Sequence, residues 1–547
     1  MKKYKYICAI FIAISSLIYY NGVAVASGSS GDENIDLKKE ENNIQDSTIK
    51  RNSTYTKPEA IRFTHVSKLT VHGAESITKG NKQLESILSR YQNKMLSMDD
   101  FNKALQEIND HFRHIGYPAA TCYLPEQESS NGEFFINVEF GKIGKVILEN
   151  DSNLNESLLH GLLSNIKSGE LVRSRDLETS IYNINEIGGV QAAGFFRPGE
   201  KIGMTDVIVR VINKKQDNYI ITTDNFGSES SGRYHYTFIG EWINKFNNGE
   251  RIVLNGSTSN QRQRNYGISY EQIIAKNGTK ASISVGNSDY ELGSIYSSMG
   301  VTGRADNYVV AFSTPLWKTS TSRLILNYGF VYRNLNDEMR YVDYIVNKHT
   351  SSGYLGLGGS EWIGKTFVNY DFTANVGRMI CDEAHIMGYP LKIASEGGYV
   401  KGTAEITTKY IFNNKFDLLI SGQAQKASTL LDSSEQFFLG GAKGIRAYPQ
   451  GEGSGDEGYL INAELAYRTG IKGLSLSTFY DQGYVRYTKD NSVLGGIFLR
   501  GWGLGLTYSS NNYWIRADYA RRIGMDRHAS KAAEAKGRIW LTAGVYF

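Results

Sequence analysis

The chain has 547 residues, and this length predicts two or more domains. It contains 57 glycines, 36 tyrosines and only 7 prolines, and an excess of tyrosine is typical of proteins that meet a membrane interface. The formal net charge of +4 falls to about +1 without the three lysines of an N-terminal leader, which excludes a large basic field, so we expect no nucleic-acid partner.

The N-terminus has the pattern of a secretory signal peptide, predicted over residues 1–26. Three early lysines form its positive start, an apolar stretch follows, and Ala24 to Ala26 is a small-residue cleavage site. An uncleaved anchor is the alternative, but no stop-transfer charge cluster follows the small residues. Residues 27–60 are rich in Ser, Asn, Asp, Glu and Lys, which predicts a flexible N-terminal tether. The sequence does not say whether this tether plugs a pore or serves as a linker.

Cysteine content limits the covalent and metal chemistry. Cys8 is lost with the leader, and Cys122 and Cys381 lie far apart in the remaining chain. We therefore expect no structural disulfide and no metal cluster built on cysteine.

Residues 61–214 have a mixed α/β pattern that occurs twice, which predicts two small α+β domains over 61–141 and 142–214. In each, a short strand precedes two helices with apolar residues three and four apart, and two further strands follow. The predicted elements of the first domain are 69–73, 82–91, 98–115, 119–124 and 133–140. Those of the second are 143–148, 156–166, 174–185, 192–198 and 205–211.

From residue 217 onward, apolar and polar residues alternate between polar turns, which predicts β-strands. No stretch after the leader has the ~18 to 20 apolar residues of a membrane helix, so a membrane crossing would use strands. We count sixteen, an even number as expected of a single-chain bacterial barrel, and predict a transmembrane β-barrel of 16 antiparallel strands over 217–547. The strands begin near residues 217, 232, 249, 264, 279, 306, 323, 350, 366, 398, 415, 458, 473, 499, 512 and 537.

The alternation also predicts which face of each strand meets lipid. In the strand over residues 459–468, one face is apolar with a tyrosine at each end, whereas the other carries Asn462, Glu464 and Arg468. Lipid outside and water inside explain both faces. A soluble β-sandwich also alternates, but its packed core would have to bury these charges.

The chain ends on a strand with one apolar face and an aromatic last residue. The terminal residues Tyr546 and Phe547 resemble the C-terminal signature by which bacterial outer-membrane barrels are recognised by their assembly machinery. This resemblance implies the outer membrane as the location. It also implies outer-membrane lipid, the barrel assembly machinery and periplasmic chaperones as partners.

Several motifs resemble a known family of transporters. Gly116–Pro118 and Gly132–Val138 resemble the POTRA domains of polypeptide-transport outer-membrane proteins. Thr223–Gly227 and Arg500–Gly505 resemble landmarks of the TpsB transporters of two-partner secretion, the hemolysin secretion/activation group of the Omp85 superfamily. Ser231 stands where that family usually has threonine. The resemblance covers residues 61–547 and implies two periplasmic POTRA domains followed by the 16-stranded barrel.

In that family a long loop after the eleventh or twelfth strand carries an arginine motif that folds into the barrel. The matching residues here are Ile445, Arg446, Ala447 and Tyr448, with alanine where the family has a glycine. The family's aspartate motif on the inner wall is matched by Phe479, Asp481 and Gly483, which lie at the end of an alternating strand pattern. Because an arginine in a partly desolvated lumen needs a carboxylate, we predict a pair between Arg446 and Asp481. The alternative is an arginine exposed in a glycine-rich surface loop.

The sequence lacks the motifs of common enzyme classes. We find no phosphate-binding loop, no nucleophile elbow and no zinc-protease motif, and the nine histidines are scattered. The glycines of Gly353 to Gly359 lie within a strand pattern with no helix after them. We therefore expect no catalytic, cofactor-binding or metal site and no enzymatic activity.

The resemblance implies an outer-membrane translocator. It would capture an unfolded exoprotein, a TpsA-like adhesin or hemolysin with an N-terminal secretion domain, and conduct it to the cell surface. An unpaired POTRA sheet edge can receive an extended client strand, although two spacer domains would also give this pattern. The alternative function is an Omp85-type outer-membrane assembly factor or insertase, and two POTRA domains rather than a longer string favour secretion. A porin needs no α/β domains. The sequence identifies neither the exoprotein nor the oligomeric state.

Overall fold

The protein is described by a computed structural model covering residues 63–547, except 74, 79, 128–130, 215–216, 320, 488–494 and 525–530. The predicted signal peptide and tether lie outside these described residues. Two small α+β units are followed by a closed antiparallel barrel.

The first unit packs helices against a three-stranded sheet in the order β2-β5-β4, with β2 parallel to β5. Helix α3 begins with a capping box, in which the Ser97 hydroxyl and the Asp100 carboxylate each bond to the other residue's backbone N–H. Its buried face, Phe101, Ile108 and Phe112, packs in the core of the unit. The elements are β1 (Thr64–Val66), β2 (Lys68–His72), α1 (Glu75–Thr78), α2 (Lys82–Ser89), β3 (Lys94–Leu96), α3 (Met98–His114), β4 (Ala120–Tyr123) and β5 (Glu133–Phe140).

The small antiparallel pair β1 and β3 and the four-residue helix α1 are absent from the sequence-based prediction. Segments of three or four residues contain too little periodicity to distinguish a strand or helix from a turn. The five longer elements of this unit were predicted to within a few residues.

The second unit repeats this arrangement, with a sheet in the order β6-β8-β7 and β6 parallel to β8. Leu159, Leu162 and Ile184 of its two helices are fully or almost fully buried, together with Val209 of the central strand. The elements are β6 (Lys142–Asp151), α4 (Glu156–Leu163), α5 (Ser174–Asn185), β7 (Val190–Pro198) and β8 (Met204–Asn213).

The predicted barrel of sixteen antiparallel strands is confirmed, and it closes by pairing of the first strand with the last. Nine strands precede a short extra strand, β18 (Tyr389–Pro390): β9 (Asn218–Asp224), β10 (His235–Ile243), β11 (Arg251–Ser259), β12 (Arg264–Ile273), β13 (Lys280–Glu291), β14 (Val301–Lys318), β15 (Ser322–Met339), β16 (Tyr344–Ile363) and β17 (Thr366–Ile386). The other seven are β19 (Gly397–Ile411), β20 (Phe416–Ala427), β23 (Glu457–Arg468), β24 (Leu474–Arg486), β25 (Ile497–Ser509), β26 (Tyr513–Arg522) and β27 (Gly537–Tyr546). Two further two-residue strands, β21 (Phe437–Phe438) and β22 (Ser454–Gly455), lie between β20 and β23.

The faces of the strands follow the predicted alternation. On β23 the outward Tyr459, Ile461, Leu465 and Tyr467 are exposed on the barrel surface, where lipid would cover them. Glu464 of the same strand faces inward and is mostly buried. The apolar band is therefore outside and the charged surface inside.

The second unit packs against one end of the barrel. Ile273, at the end of β12, belongs to the buried core of this unit. The Lys318 ammonium at the end of β14 donates to Asn183 Oδ1 of α5 (3.1 Å) and pairs with Glu186, which directly follows that helix. Strands β14 to β17 have 18 to 21 residues, well beyond the ~9 to 11 that span a bilayer, and the turn between β15 and β16 lies at the opposite end of the barrel.

No helix among the described residues is long and apolar enough to cross a membrane. Cys122 is buried and Cys381 half-buried, and both are free thiols. Burial raises the pKa of the Cys122 thiol to about 12, so this thiol stays protonated at neutral pH.

Candidate functional site

The segment between β20 and β23, residues 428–456, folds into the barrel, and we call it the lumen loop. It follows the eleventh barrel strand and starts at the end of the barrel that lies away from the second unit. Its Leu439, Ile445 and Tyr448 are completely buried and pack with Leu460 and Leu499 of the wall. The lumen loop is therefore an internal element of the barrel rather than a surface loop.

Arg446, in the middle of this loop, contacts Asp481 of β24. The guanidinium Nε and one terminal nitrogen donate to the two carboxylate oxygens at 2.9 and 2.8 Å, and the Arg446 backbone N–H donates to Asp481 Oδ2 at 3.1 Å. The Asp481 side chain is completely buried. This two-point geometry is one that a planar guanidinium provides and a lysine ammonium does not.

Two further carboxylates complete the wall around the guanidinium. Glu464 of β23 accepts from Arg446 at 2.8 Å, and Asp518 of β26 lies 3.9 Å away. Arg516 of β26 donates to Glu464 at 2.8 and 2.9 Å and to Asp518 at 2.9 Å. One cation of the loop and one cation of the wall thus share three wall carboxylates. If the loop left, this part of the wall would have a net negative charge.

Contacts with an aromatic ring, an indole and an amide of the wall also hold the loop in place. The Arg446 guanidinium carbon lies 3.3 Å from the centroid of the Phe479 ring, a cation–π contact. The Trp540 indole N–H of β27 donates to the Arg446 carbonyl at 2.7 Å, and the Asn462 amide donates to both the Gly444 carbonyl and Asp481 Oδ1. Phe479, Asp481 and Gly483 lie inside β24, not at the end of a strand pattern as predicted.

Ala447 fits at its position because the wall opposite lacks a side chain. Among the described non-glycine residues, positive φ angles occur at seven positions that do not include Ala447. This position therefore needs no glycine. A Cβ placed on Gly501 of β25 would lie 2.5 Å from the Ala447 Cβ, so Gly501 provides the space that the alanine methyl fills. Gly483 likewise lies close to Leu439 of the loop.

Gly501→Ala is expected to displace the loop through this contact. Overpacking a close-packed site costs about 1–3 kcal/mol, and here the clash involves Cβ atoms that cannot rotate away. The expected result is faster proteolysis of the loop in the folded protein, with restoration by Ala447→Gly in the same chain. Equal protease resistance of Gly501→Ala and the wild type would show that the methyl does not fill this space.

The structure brings the predicted loop and wall residues together, whereas Tyr546 and Phe547 lie elsewhere, at the closure of the barrel. Tyr546 pairs with Ile220, and the Phe547 N–H donates to the Tyr219 carbonyl at 3.0 Å. The sequence analysis did not assign Glu464, Asp518 or Trp540 to the site. The alternation of apolar and polar residues places Glu464 and Asp518 on the inward face of their strands and could have indicated them. The register of the neighbouring strands, which brings them beside Arg446, cannot be read from one sequence.

The site holds a loop against the barrel wall by charge-assisted hydrogen bonds. Its polar groups are carboxylates, guanidinium groups and amides joined by direct hydrogen bonds. In the described part of the chain, no three or more His, Cys, Asp or Glu side chains lie close enough together to hold a metal ion.

Comparisons with known proteins agree with this architecture. The family model described as haemolysin secretion/activation protein ShlB/FhaC/HecB matches residues 203–508, and the model described as POTRA domain, ShlB-type, matches residues 64–141. The heme/hemopexin transporter protein HuxB of Haemophilus influenzae (strain 86-028NP) is 26% identical over 88% of this chain and 86% of its own length. The outer membrane transporter CdiB of Dickeya dadantii (strain 3937) is 21% identical over 87% of this chain and 84% of its own length.

Solved structures resemble the whole chain in fold. CdiB from Escherichia coli superposes with a TM-score of 0.70 at 17% identity, covering 93% of this chain and 96% of that one. The haemolysin secretion/activation model covers more than half of the present chain. The chain therefore belongs to the haemolysin secretion/activation protein family ShlB/FhaC/HecB, outer-membrane translocators of two-partner secretion with periplasmic POTRA domains.

Proposed function

We propose that this protein captures one unfolded exoprotein in the periplasm through its two α+β units and conducts it through the barrel to the cell surface. The exoprotein would carry an N-terminal secretion domain. Each unit contains a three-stranded sheet whose outer strands, such as β4 and β7, pair with only one strand of that sheet. An extended client can add to such an edge through main-chain hydrogen bonds.

The observation that carries this proposal is the burial of a charged loop inside the barrel. The lumen loop crosses the path that a client would follow, and ion pairs with the wall hold it there. Ion pairs can be exchanged for water when the lumen hydrates, whereas a covalent or β-sheet plug would have to unfold. We call Arg446 with Asp481, Glu464 and Asp518 the arginine latch, and propose that its release opens the pore.

The other assignments follow from this role. The domain limits 61–141, 142–214 and 217–547 define the two POTRA domains and the barrel in this proposal. Outer-membrane lipid would cover the apolar band, and the barrel assembly machinery and periplasmic chaperones would deliver the protein to the membrane. Transport would proceed without a catalytic step, and folding of the client outside the cell would make it one-way.

Deletion of the gene in the native host tests this function. If the protein secretes one client, one exoprotein should disappear from the cell surface and either accumulate or be degraded in the periplasm. Other outer-membrane barrels should keep their normal abundance. Quantitative proteomics of surface, periplasmic and outer-membrane fractions measures this. A general loss of barrels from the outer membrane would instead identify the protein as an assembly factor or insertase and would contradict the secretion proposal.

A further inference from the structure

We propose that the lumen loop has a second latch of opposite polarity, in which Asp432 and Glu435 of the loop bind a basic wall formed by Arg333, Lys348 and Lys401. We call this the acidic latch. This proposal rests on the proposed function in one respect, namely that the loop must move for transport. Its wall residues lie on β15, β16 and β19.

Glu435 is held by two wall cations. Its carboxylate accepts from the Lys401 ammonium at 2.5 Å and from the Arg333 guanidinium at 2.7 Å. The Glu435 and Lys401 side chains are 7% and 5% exposed, so this pair is desolvated as completely as the pair between Arg446 and Asp481. A desolvated carboxylate with two cationic partners is a strong contact whose loss leaves buried charge unpaired.

Asp432 forms the second contact of the acidic latch. The Lys348 ammonium donates to Asp432 at 2.8 Å and also pairs with Asp337 of β15 at 3.2 Å. Asp337 in turn accepts from the Tyr290 hydroxyl at 3.2 Å. Lys348 therefore has one carboxylate partner that would leave with the loop and one that would stay on the wall.

The backbone around these carboxylates is held in a fixed conformation. Asp432 accepts from the Ser434 N–H at 3.0 Å and starts a short 3₁₀ turn over Ser433–Glu435. The Gln425 amide of β20 donates to the carbonyls of Glu435 and Asp456, at 3.0 and 3.1 Å. These bonds from one wall side chain join the start and the end of the lumen loop beside the acidic latch.

The two parts of the wall that bind the loop have opposite net charges. The wall that faces Arg446 carries three carboxylates and one cation: Asp481, Glu464, Asp518 and Arg516. The wall of the acidic latch carries three cations and one carboxylate: Arg333, Lys348, Lys401 and Asp337. The loop supplies the missing charge to each, one cation to the first wall and two carboxylates to the second.

Displacement of the loop would therefore leave two separate parts of the lumen wall with opposite net charge. Charges of this kind are stable only in contact with water or with a client chain. Opening must accordingly hydrate both walls, and the two latches together stabilise the closed pore.

The test measures ion conductance of the purified full-length protein in planar lipid bilayers without any client. Glu435→Gln and Lys401→Gln each remove one side of the same contact, and Arg446 and Asp481 stay unchanged. Since the lost bonds are charge-assisted, each variant is expected to increase the fraction of time in the open state by about tenfold or more. The double variant is expected to be no more open than Glu435→Gln, because that substitution alone already removes the ion pairs of the loop carboxylate with both Lys401 and Arg333.

Glu457→Gln is the matched control, because Glu457 pairs at the end of the same loop with Arg486, whose side chain is largely exposed. It is expected to leave the conductance unchanged. Wild-type conductance in correctly folded Glu435→Gln and Lys401→Gln, assessed by the heat-dependent gel mobility of the barrel, would overturn the proposal.

If a single variant fails to fold, the double variant decides, because it removes both charges of the contact between Glu435 and Lys401 and leaves only Arg333 without its loop carboxylate. Wild-type conductance of the folded double variant, or failure of the double variant to fold, would also overturn the acidic latch. The experiment involves no exoprotein, so its failure would leave the secretion proposal standing, and failure of the deletion experiment would leave the latch standing.

Discussion

Arg446→Ala is expected to lower secretion of the exoprotein by at least about tenfold and to raise the ion conductance of the purified barrel. The substitution leaves Asp481, which is fully buried, and Glu464 without their loop cation. Breaking a buried pair by removing one partner costs roughly 3–5 kcal/mol, and every 1.4 kcal/mol changes a population about tenfold. The loop should therefore occupy its closed position at least about tenfold less often. Export assays and planar-bilayer recordings measure the two effects.

Lys443→Ala is the matched control for this prediction, since it removes an exposed cation three positions away in the same loop. It is expected to secrete and conduct like the wild type. An Arg446→Ala protein that folds and still shows wild-type secretion and conductance would mean that the arginine latch has no part in transport.

The charge swap Arg446→Asp with Asp481→Arg tests whether the two residues act as a pair. Each single change should impair secretion, and the double variant should recover part of it. Recovery cannot be complete, because an aspartate at position 446 would face Glu464 and Asp518, which lie 2.8 and 3.9 Å from the native arginine. Equal loss in all three variants would leave the pair unsupported as a functional unit.

Phe547→Ala is expected to reduce the amount of folded barrel in the outer membrane several-fold. Its side chain is exposed on the lipid side, and the Phe547 N–H that bonds to Tyr219 is a backbone group that alanine retains. The folded barrel should therefore lose little stability, and the loss should arise during delivery and assembly. Quantitative immunoblots of outer-membrane fractions measure the effect.

Tyr513→Ala is the matched control, because Tyr513 is an exposed aromatic residue that pairs with Val545 near the same end of β27. It is expected to assemble normally. An equal decrease for both variants would show that aromatic burial in lipid matters rather than recognition of the last residue.

Strand number and orientation were predictable because both depend on local patterns. Alternation of apolar and polar residues with period two identified all sixteen barrel strands and the outward face of β23. The two α+β units were also predictable, because α3 and α5 have a clear apolar face at helical spacing. The pair β1 and β3 was missed because each strand has only three residues.

The contacts of the lumen loop were predictable only in part. Arg446 and Asp481 could be proposed as a pair because their motifs resemble those of a known family and because an arginine in the lumen needs a carboxylate. Glu464 and Asp518 belong to the same cluster through the register of β23, β24, β25 and β26, which depends on hydrogen bonding between distant segments. The partners of Asp432 and Glu435 come from β15, β16 and β19, and no local pattern relates them to the loop.

The conformation at Ala447 also depends on a distant residue. The family that the sequence resembles has a glycine at this position, so the alanine suggested that the tight backbone conformation of the motif could not form. The structure places Gly501 opposite it, so the methyl occupies space that the wall leaves free. The alanine of the loop is thus accommodated by a wall glycine that lies more than fifty positions away in the sequence.

The most direct test of the account asks whether the exoprotein passes through the lumen that the loop occupies. A photo-crosslinking amino acid at Gln423, which faces the lumen beside Leu439 and Gly440 of the loop, should capture an exoprotein stalled in transit. The same group at Ile420, three residues earlier on β20 and exposed on the lipid side, should capture none. Crosslinks from Ile420 but not from Gln423, or from neither position while secretion continues, would contradict passage through the barrel.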